Sequence, residues 1–176
     1  MELAELTDWK AILDEHGKAV WNTAYRLLGN DADAADCFQE TFADALIFSR
    51  KQSVKNYRSV LLKFATCRAM DVLRQRMRKN QPVLLDETDE ISLQSRDCPQ
   101  GSAENDELGR LLVKAFAQLD SEEAEIFCLK HIENLSATEI AQIFRLKENH
   151  VCVIVHRARN KLRVLLHKAA FDNSKT

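Results

Sequence analysis

LSATEIAQIFRLKENHVCVIVHRARNKLR, residues 135–163, holds two helical signatures with a break between them. Ser136-Ala-Thr-Glu139 is a capping box: the serine oxygen can accept from the amide three residues on, while Glu139 reaches back to the amide of Ser136. Behind it Ile140, Ile143 and Phe144 fall on one face of a short helix. A longer helix follows from about residue 147 to 168, in which Val151, Val155, Ala158 and Leu162 repeat at i, i+4, i+7 and i+11 and are expected to form the buried seam. A short capped helix, a turn of three or four residues and a longer Arg-rich helix make the helix-turn-helix pattern. Arg157, Arg159, Lys161 and Arg163 are spaced by two, which spreads them over a wide arc suited to phosphates on both sides of a groove. An ordinary helical hairpin with a solvated basic face has the same pattern.

The apolar block Val151-Cys-Val-Ile-Val155 is too solid for one seam. Successive residues turn by about 100° on a helix, so Cys152, Val153 and Ile154 cannot all be buried together. At least one is expected to face DNA or protein, and covering by a partner or by another domain is the favoured reading.

Outward from this stretch the chain is helical throughout. Residues 9–28 carry Trp9, Ile12, Leu13, Val20, Ala24, Leu27 and Leu28 in helical rhythm, and Gly29 is placed to end the helix with Asn30 ready to cap the next. A second helix is expected over about 32–48, a polar and basic connector over 49–56, and a long helix over 57–78. Residues 80–105 hold Pro82, Pro99, Gly101 and many acids, which break any period and suggest a flexible linker. Helices are expected at about 104–118 and 121–132 before the capped pair. With 176 residues, 45% hydrophobic content, only 4 Gly and 2 Pro, the chain can build apolar cores but has few turns for a many-stranded sheet. The fold class expected is all-α: two small helical domains joined by a flexible acidic linker.

Charge alternates along the chain although the net charge is only −2. Residues 1–49 and 80–125 are acidic, whereas 50–79 hold ten Lys and Arg against the single acid Asp71. Two polyanion-facing surfaces separated by acidic ones fit this distribution. The linker's acidity is expected to hold the C-terminal domain away from the basic helix. Tyr57 beside Asn56 suits stacking on an unpaired base, or simply the core.

The five cysteines lack CxxC spacing and are expected to be reduced, mostly buried thiols of a cytoplasmic protein. The acidic start MELAELTDWK has no apolar stretch of a signal peptide, and no run approaches the roughly 18 apolar residues of a membrane span. No metal or other cofactor is expected: there is no HExxH and no His–Cys cluster. Nor is there a nucleophile–base pair or a Gly-rich phosphate loop, so an enzyme is not expected.

Three motifs in register carry a resemblance. AYRLLGNDADAADCFQETFADAL (24–46) resembles conserved region 2 of the sigma-70 family, in the extracytoplasmic-function (ECF) group of RNA polymerase sigma factors. VLLKFATCRAMDVLRQRMRK (60–79) resembles a further part of that region, and residues 115–163 resemble region 4. The resemblance implies region 2 over 1–79, a linker over 80–105, region 4 over 106–170 and a tail over 171–176. It implies that Asp36, Gln39, Glu40 and Phe42 meet the β′ clamp of bacterial core RNA polymerase. It implies that Lys51, Lys55, Asn56, Tyr57, Arg58, Arg68, Arg74, Arg76 and Arg78 hold the opened −10 element of promoter DNA. Region 4 would contact the polymerase β flap and place Asn149, His150, Val153, His156, Arg157, Arg159 and Lys161 at the −35 element. An anti-sigma factor is a further implied partner.

The chain departs from the family pattern at several positions. Val60 stands for a usual Trp, Cys67 for Asn, and Arg145 for the Gly of the turn. Lys147 to His150 replaces a Ser-x-x-Thr cap, and Cys152-Val153-Ile154 replaces a polar or basic triplet. Two alternatives stay open at this point: a helix-turn-helix regulator that acts without core polymerase, and a sigma-like adaptor or anti-sigma antagonist with weakened −35 reading.

Overall fold

The computed structural model describes residues 7–78 and 111–173, with side chains described to residue 168. The expected linker, 80–105, lies outside the described residues. The described residues form α1 (Trp9–Leu28), α2 (Asp31–Lys51), α3 (Tyr57–Arg78), a helical segment α4 (111–117), α5 (Ser121–His131), α6 (Ala137–Phe144) and α7 (Glu148–Asn173), with no strand among them. The all-α expectation holds.

Local signals set the helix ends. The Asp8 carboxylate accepts from the amides of Lys10 and Ala11, both at 3.1 Å, and starts α1. Gly29 ends it at φ 72°, a conformation that costs a side chain energy, and donates to the Tyr25 carbonyl at 2.8 Å. Asn30 then caps α2 by accepting from Asp33 N at 2.9 Å. α2 runs three residues past the expected end, so Lys51 is helical and the connector shortens to 52–56. Ser136 and Glu139 form the capping box expected for α6.

α1, α2 and α3 pack on one another around Val20, Ala45, Leu61 and Ala65, walled by Trp9, Ile12, Phe38, Phe42, Tyr57 and Phe64. In the C-terminal half, Ile126, Leu129, Leu135, Ile140, Val151 and Ile154 form the core of the capped pair. Here the seam of α7 differs from expectation. Ile154 is buried and Val155 only partly so, because α7 meets α5 and α6 along the i, i+3, i+7, i+11 line of Val151, Ile154, Ala158 and Leu162.

The two halves do not stay apart. α3 packs against α5 and α6 as well as against α1 and α2. One continuous core joins Ala24, Leu28, Met70 and Leu73 to Phe116, Leu119, Ala124 and Cys128. Leu62 of α3 is fully buried in the cluster of α5, α6 and α7. The expectation that acidity keeps the C-terminal half off the basic helix is therefore overturned. Apolar side chains of α3 are buried against the C-terminal half, and Glu139 with the carbonyls of Glu133 and Ile143 accepts from its polar and basic side chains.

Candidate polymerase and nucleic-acid surfaces

On α2, Asp36, Gln39 and Glu40 are exposed on the side turned away from the core residues Ala34, Cys37, Thr41 and Ala45. Glu40 lies 3.4 Å from Arg68, whose guanidinium also holds Asp44 at 2.6 Å. Phe42 is partly buried, 4.9 Å from Phe38 between ring centroids, and belongs to the core. Sequence reasoning missed Ile47, which is 52% exposed. It follows Asp36 by three helical turns and therefore ends the same acidic strip with an apolar side chain. The signal was present in the spacing of 36, 40, 43 and 47.

Several of the basic residues on and before α3 are already engaged. Asn56 Oδ1 accepts from Ser59 N at 3.0 Å, so the residue caps α3, and its Nδ2 donates to Glu139 at 3.3 Å. Arg58 donates to the Glu133 carbonyl at 3.4 Å. Arg76 donates to the Leu28 carbonyl at 3.0 Å and pairs with Asp33. Arg74 has Asp71 at 3.7 Å, beyond hydrogen-bond reach, and both of its terminal nitrogens are buried without an acceptor. Tyr57 packs edge-on against Trp9 at 5.8 Å and is half-buried. Lys51, Lys55 and Arg78 stand in solvent. A cavity of about 600 Å³ opens between the connector, α3 and α6, lined by Phe48, Asn56, Phe64, Glu139 and Phe144 among others.

Two further contacts tie α3 and α1 to the C-terminal half. Lys63 donates to the Ile143 carbonyl at 3.1 Å and sits 4.2 Å over the Phe144 ring. Glu133, 8% exposed, pairs with Arg26 at 3.3 Å. Burial pushes the Glu133 carboxyl up, and Arg26 works in the opposite direction. Beside them Cys67 is a free thiol pushed far above its ordinary value by burial and by Glu125.

α7 divides along its length. Asn149, His150, Val153, His156 and Arg157 are exposed on its N-terminal half, with Val153 at 44%. Further along, Arg159 donates to His131 at 3.2 Å, and Lys161 pairs with Asp120 at 2.8 Å and Glu123 at 2.6 Å. Of the apolar triplet, Ile154 enters the core while Cys152 and Val153 face solvent. Packing between the two halves therefore does not cover the patch, contrary to that part of the favoured expectation. The turn before α7 keeps left-handed backbone at Arg145, φ 56° and ψ 40°, where the sequence pattern calls for glycine.

Two helical units in this order, one with an acidic helix face and a basic helix, the other a helix-turn-helix, are the features of a nucleic-acid-binding class of protein. Residues 12–81 match the family Sigma-70 region 2, and residues 115–164 match Sigma-70, region 4. The ECF RNA polymerase sigma factor SigE of Mycolicibacterium smegmatis is 29% identical over 178 residues, covering 98% of this chain and 67% of its own length. SigW of Bacillus subtilis, also an ECF sigma factor, is 27% identical over 163 residues, covering 86% of this chain and 85% of its own. SigL of Mycobacterium tuberculosis is 28% identical over 168 residues, with 94% and 92% covered. A solved structure, the sigma factor RpoE in complex with the anti-sigma factor NepR from Bartonella quintana, shares the fold at a TM-score of 0.55. It is 22% identical and covers 92% of this chain and 98% of its own. The chain belongs to the sigma-70 family of RNA polymerase sigma factors, in its ECF group, and its role is that of a sigma factor, promoter recognition.

No helix among the described residues is long and apolar enough to cross a membrane.

Proposed function

We propose that the chain binds bacterial core RNA polymerase as a dissociable sigma subunit and directs initiation at promoters carrying −10 and −35 elements. Region 2 is residues 1–79 and region 4 is 106–170. The chain itself performs no chemistry; it contributes binding and strand capture to the polymerase. The observation that carries the reading is the outer face of α2: Asp36, Gln39 and Glu40 stand together in solvent on a helix whose other face is core. Carboxylates and an amide on one face offer charge-assisted hydrogen bonds to a basic coiled coil of the clamp, and Ile47 adds an apolar anchor. Region 4 meets the flap, and α7 enters the −35 major groove with its open half leading. Because Ile154 is buried, the exposed apolar patch is reduced to Cys152 and Val153, which is small for a protein interface. Val153 then reads a thymine methyl, with His156 and Arg157 on adjacent base edges or phosphates. An anti-sigma factor is a further partner, a reading supported by the one that holds the similar RpoE.

The test is Asp36→Arg with Gln39→Arg. This pair leaves the Arg68 contacts with Glu40 and Asp44 in place. Circular dichroism stays unchanged and co-purification with core polymerase is lost. Unaltered affinity for core polymerase would overturn the assignment.

A further inference from the structure

The cavity between the connector, α3 and α6 measures about 600 Å³, which falls within the roughly 300–1,000 Å³ of small-molecule sites. We propose that it takes a small planar aromatic carboxylate, with the ring among Phe48, Phe64 and Phe144 and the carboxylate on Arg145. The proposal goes beyond the sigma-factor role and does not depend on how α3 or α7 meets promoter DNA.

Three half-buried phenylalanines, from α2, α3 and α6, line this space. Phe48 and Phe64 already meet edge to face, with centroids 5.5 Å apart, an arrangement that a further ring extends. A flat apolar body that enters takes this aromatic surface out of water. The charges of the lining select the other end of the ligand. Lys63 is engaged by the Ile143 carbonyl and the Phe144 ring. Glu139, the single carboxylate of the lining, accepts from the amide and hydroxyl of Ser136 and from Asn56 and Ser59. Lys55 and Arg145 meet no carboxylate among the described residues, and Arg145 has only the neutral Gln52, at 2.8 Å. A planar guanidinium matches a carboxylate with two parallel hydrogen bonds, and Lys55 adds a second cation to the same cavity.

Two departures from the family's sequence pattern converge here. Val60 stands for a tryptophan and lines the cavity, leaving open the volume that an indole would fill. Arg145 stands for a glycine and lines it too, at φ 56°. Left-handed backbone is unfavourable for a residue with a side chain, and Arg145 is held in it with its guanidinium at the cavity. One departure opens the space and the other supplies its charge.

The experiment titrates the full chain with naphthoate and follows the methyl resonances of Val54, Val60 and Ile143 by NMR. Naphthamide, the same ring without the charge, and guanosine monophosphate, a polar base on a phosphate, are titrated in parallel. Naphthoate is expected to shift these methyls. Arg145→Gly is expected to keep the circular dichroism of the parent and to weaken naphthoate binding by roughly tenfold, as the loss of one charge-assisted pair requires. Val60→Trp is expected to fill the cavity and abolish binding; the Arg145→Gly arm decides the matter if that variant does not fold. Absence of shifts at about 1 mM naphthoate overturns the site. Unchanged affinity in Arg145→Gly, or equal binding of naphthamide, overturns the carboxylate–Arg145 pairing and the proposal with it. Guanosine monophosphate binding as tightly as naphthoate, with the same shifts, overturns the aromatic carboxylate in favour of a nucleotide.

Discussion

Leu62→Ala separates the junction between the lobes from the core of each lobe. The side chain projects from α3 and is fully buried among residues of α5, α6 and α7, including Ile126, Leu129 and Val151. The substitution removes three carbon atoms from that site. At about 0.8 kcal/mol for each buried methylene-sized group, the transfer loss is about 2.4 kcal/mol. The cavity left behind raises the total into the range of about 2–5 kcal/mol. When the lobes separate, position 62 stands in water, so this loss falls on closure and not on either lobe alone. A loss of about 2.7 kcal/mol corresponds to roughly a hundredfold shift of the closed-to-open ratio. Small-angle scattering of the free protein reads the outcome: the radius of gyration is expected to rise while helical circular dichroism is kept. Unchanged scattering together with a lowered melting temperature would refute the reasoning, since it would place Leu62 inside a single folding unit.

Other outcomes follow from the helix ends and from one histidine. Ser136→Ala removes the acceptor of the Glu139 amide and is expected to cost about 1 kcal/mol, read by urea unfolding of region 4. The amide of Ser136 holds the Glu139 carboxyl below its ordinary value. The stability from this contact is therefore present above the ordinary carboxylate value and lost as pH falls through the lowered one, and a Glu139→Gln variant is expected to lack that acid-side step. Arg145→Gly relieves left-handed backbone at a side-chain-bearing residue and is expected to stabilise region 4 by up to about 1 kcal/mol in the same unfolding assay. Burial, then the charges of Arg159 and Lys130, hold the His131 imidazole below its ordinary value. The neutral ring accepts from Arg159, so this contact exists above the lowered value and is lost as pH falls through it. An NMR titration is expected to show Arg159 chemical shifts moving with the His131 ring, and a ring titrating above the ordinary histidine range would contradict the assignment.

Local structure was legible because it is written in short-range signals. Asp8, Gly29, Asn30 and Ser136 each mark a helix end within a few residues of chain, and apolar periodicity placed α1 and α3 over the residues the structure gives them. The exposed acidic face of α2 was legible in the same way. The junction was not. Leu62, Thr66 and Met70 read in sequence as surplus apolar or neutral positions on a helix with one core face, and nothing local says that a second face of α3 is covered. The partners of Arg58, Lys63 and Asn56 lie 75 to 83 residues away, beyond any periodicity. The same holds for Lys161, whose carboxylates are 41 and 38 residues distant. The linker's bulk acidity suggested that the C-terminal half is held away from the basic helix, but packing is decided by which individual side chains meet. Arg145 shows the converse case: the residue departed from the pattern while the backbone kept the geometry that the pattern encodes.

Run-off transcription with purified core polymerase on a genomic fragment library tests the central claim most directly. Adding this chain is expected to give transcripts whose start sites share two sequence elements upstream, and the Asp36→Arg, Gln39→Arg variant is expected to give none. A transcript profile identical to that of core polymerase alone, from folded protein shown to be active in duplex DNA binding, would contradict the account.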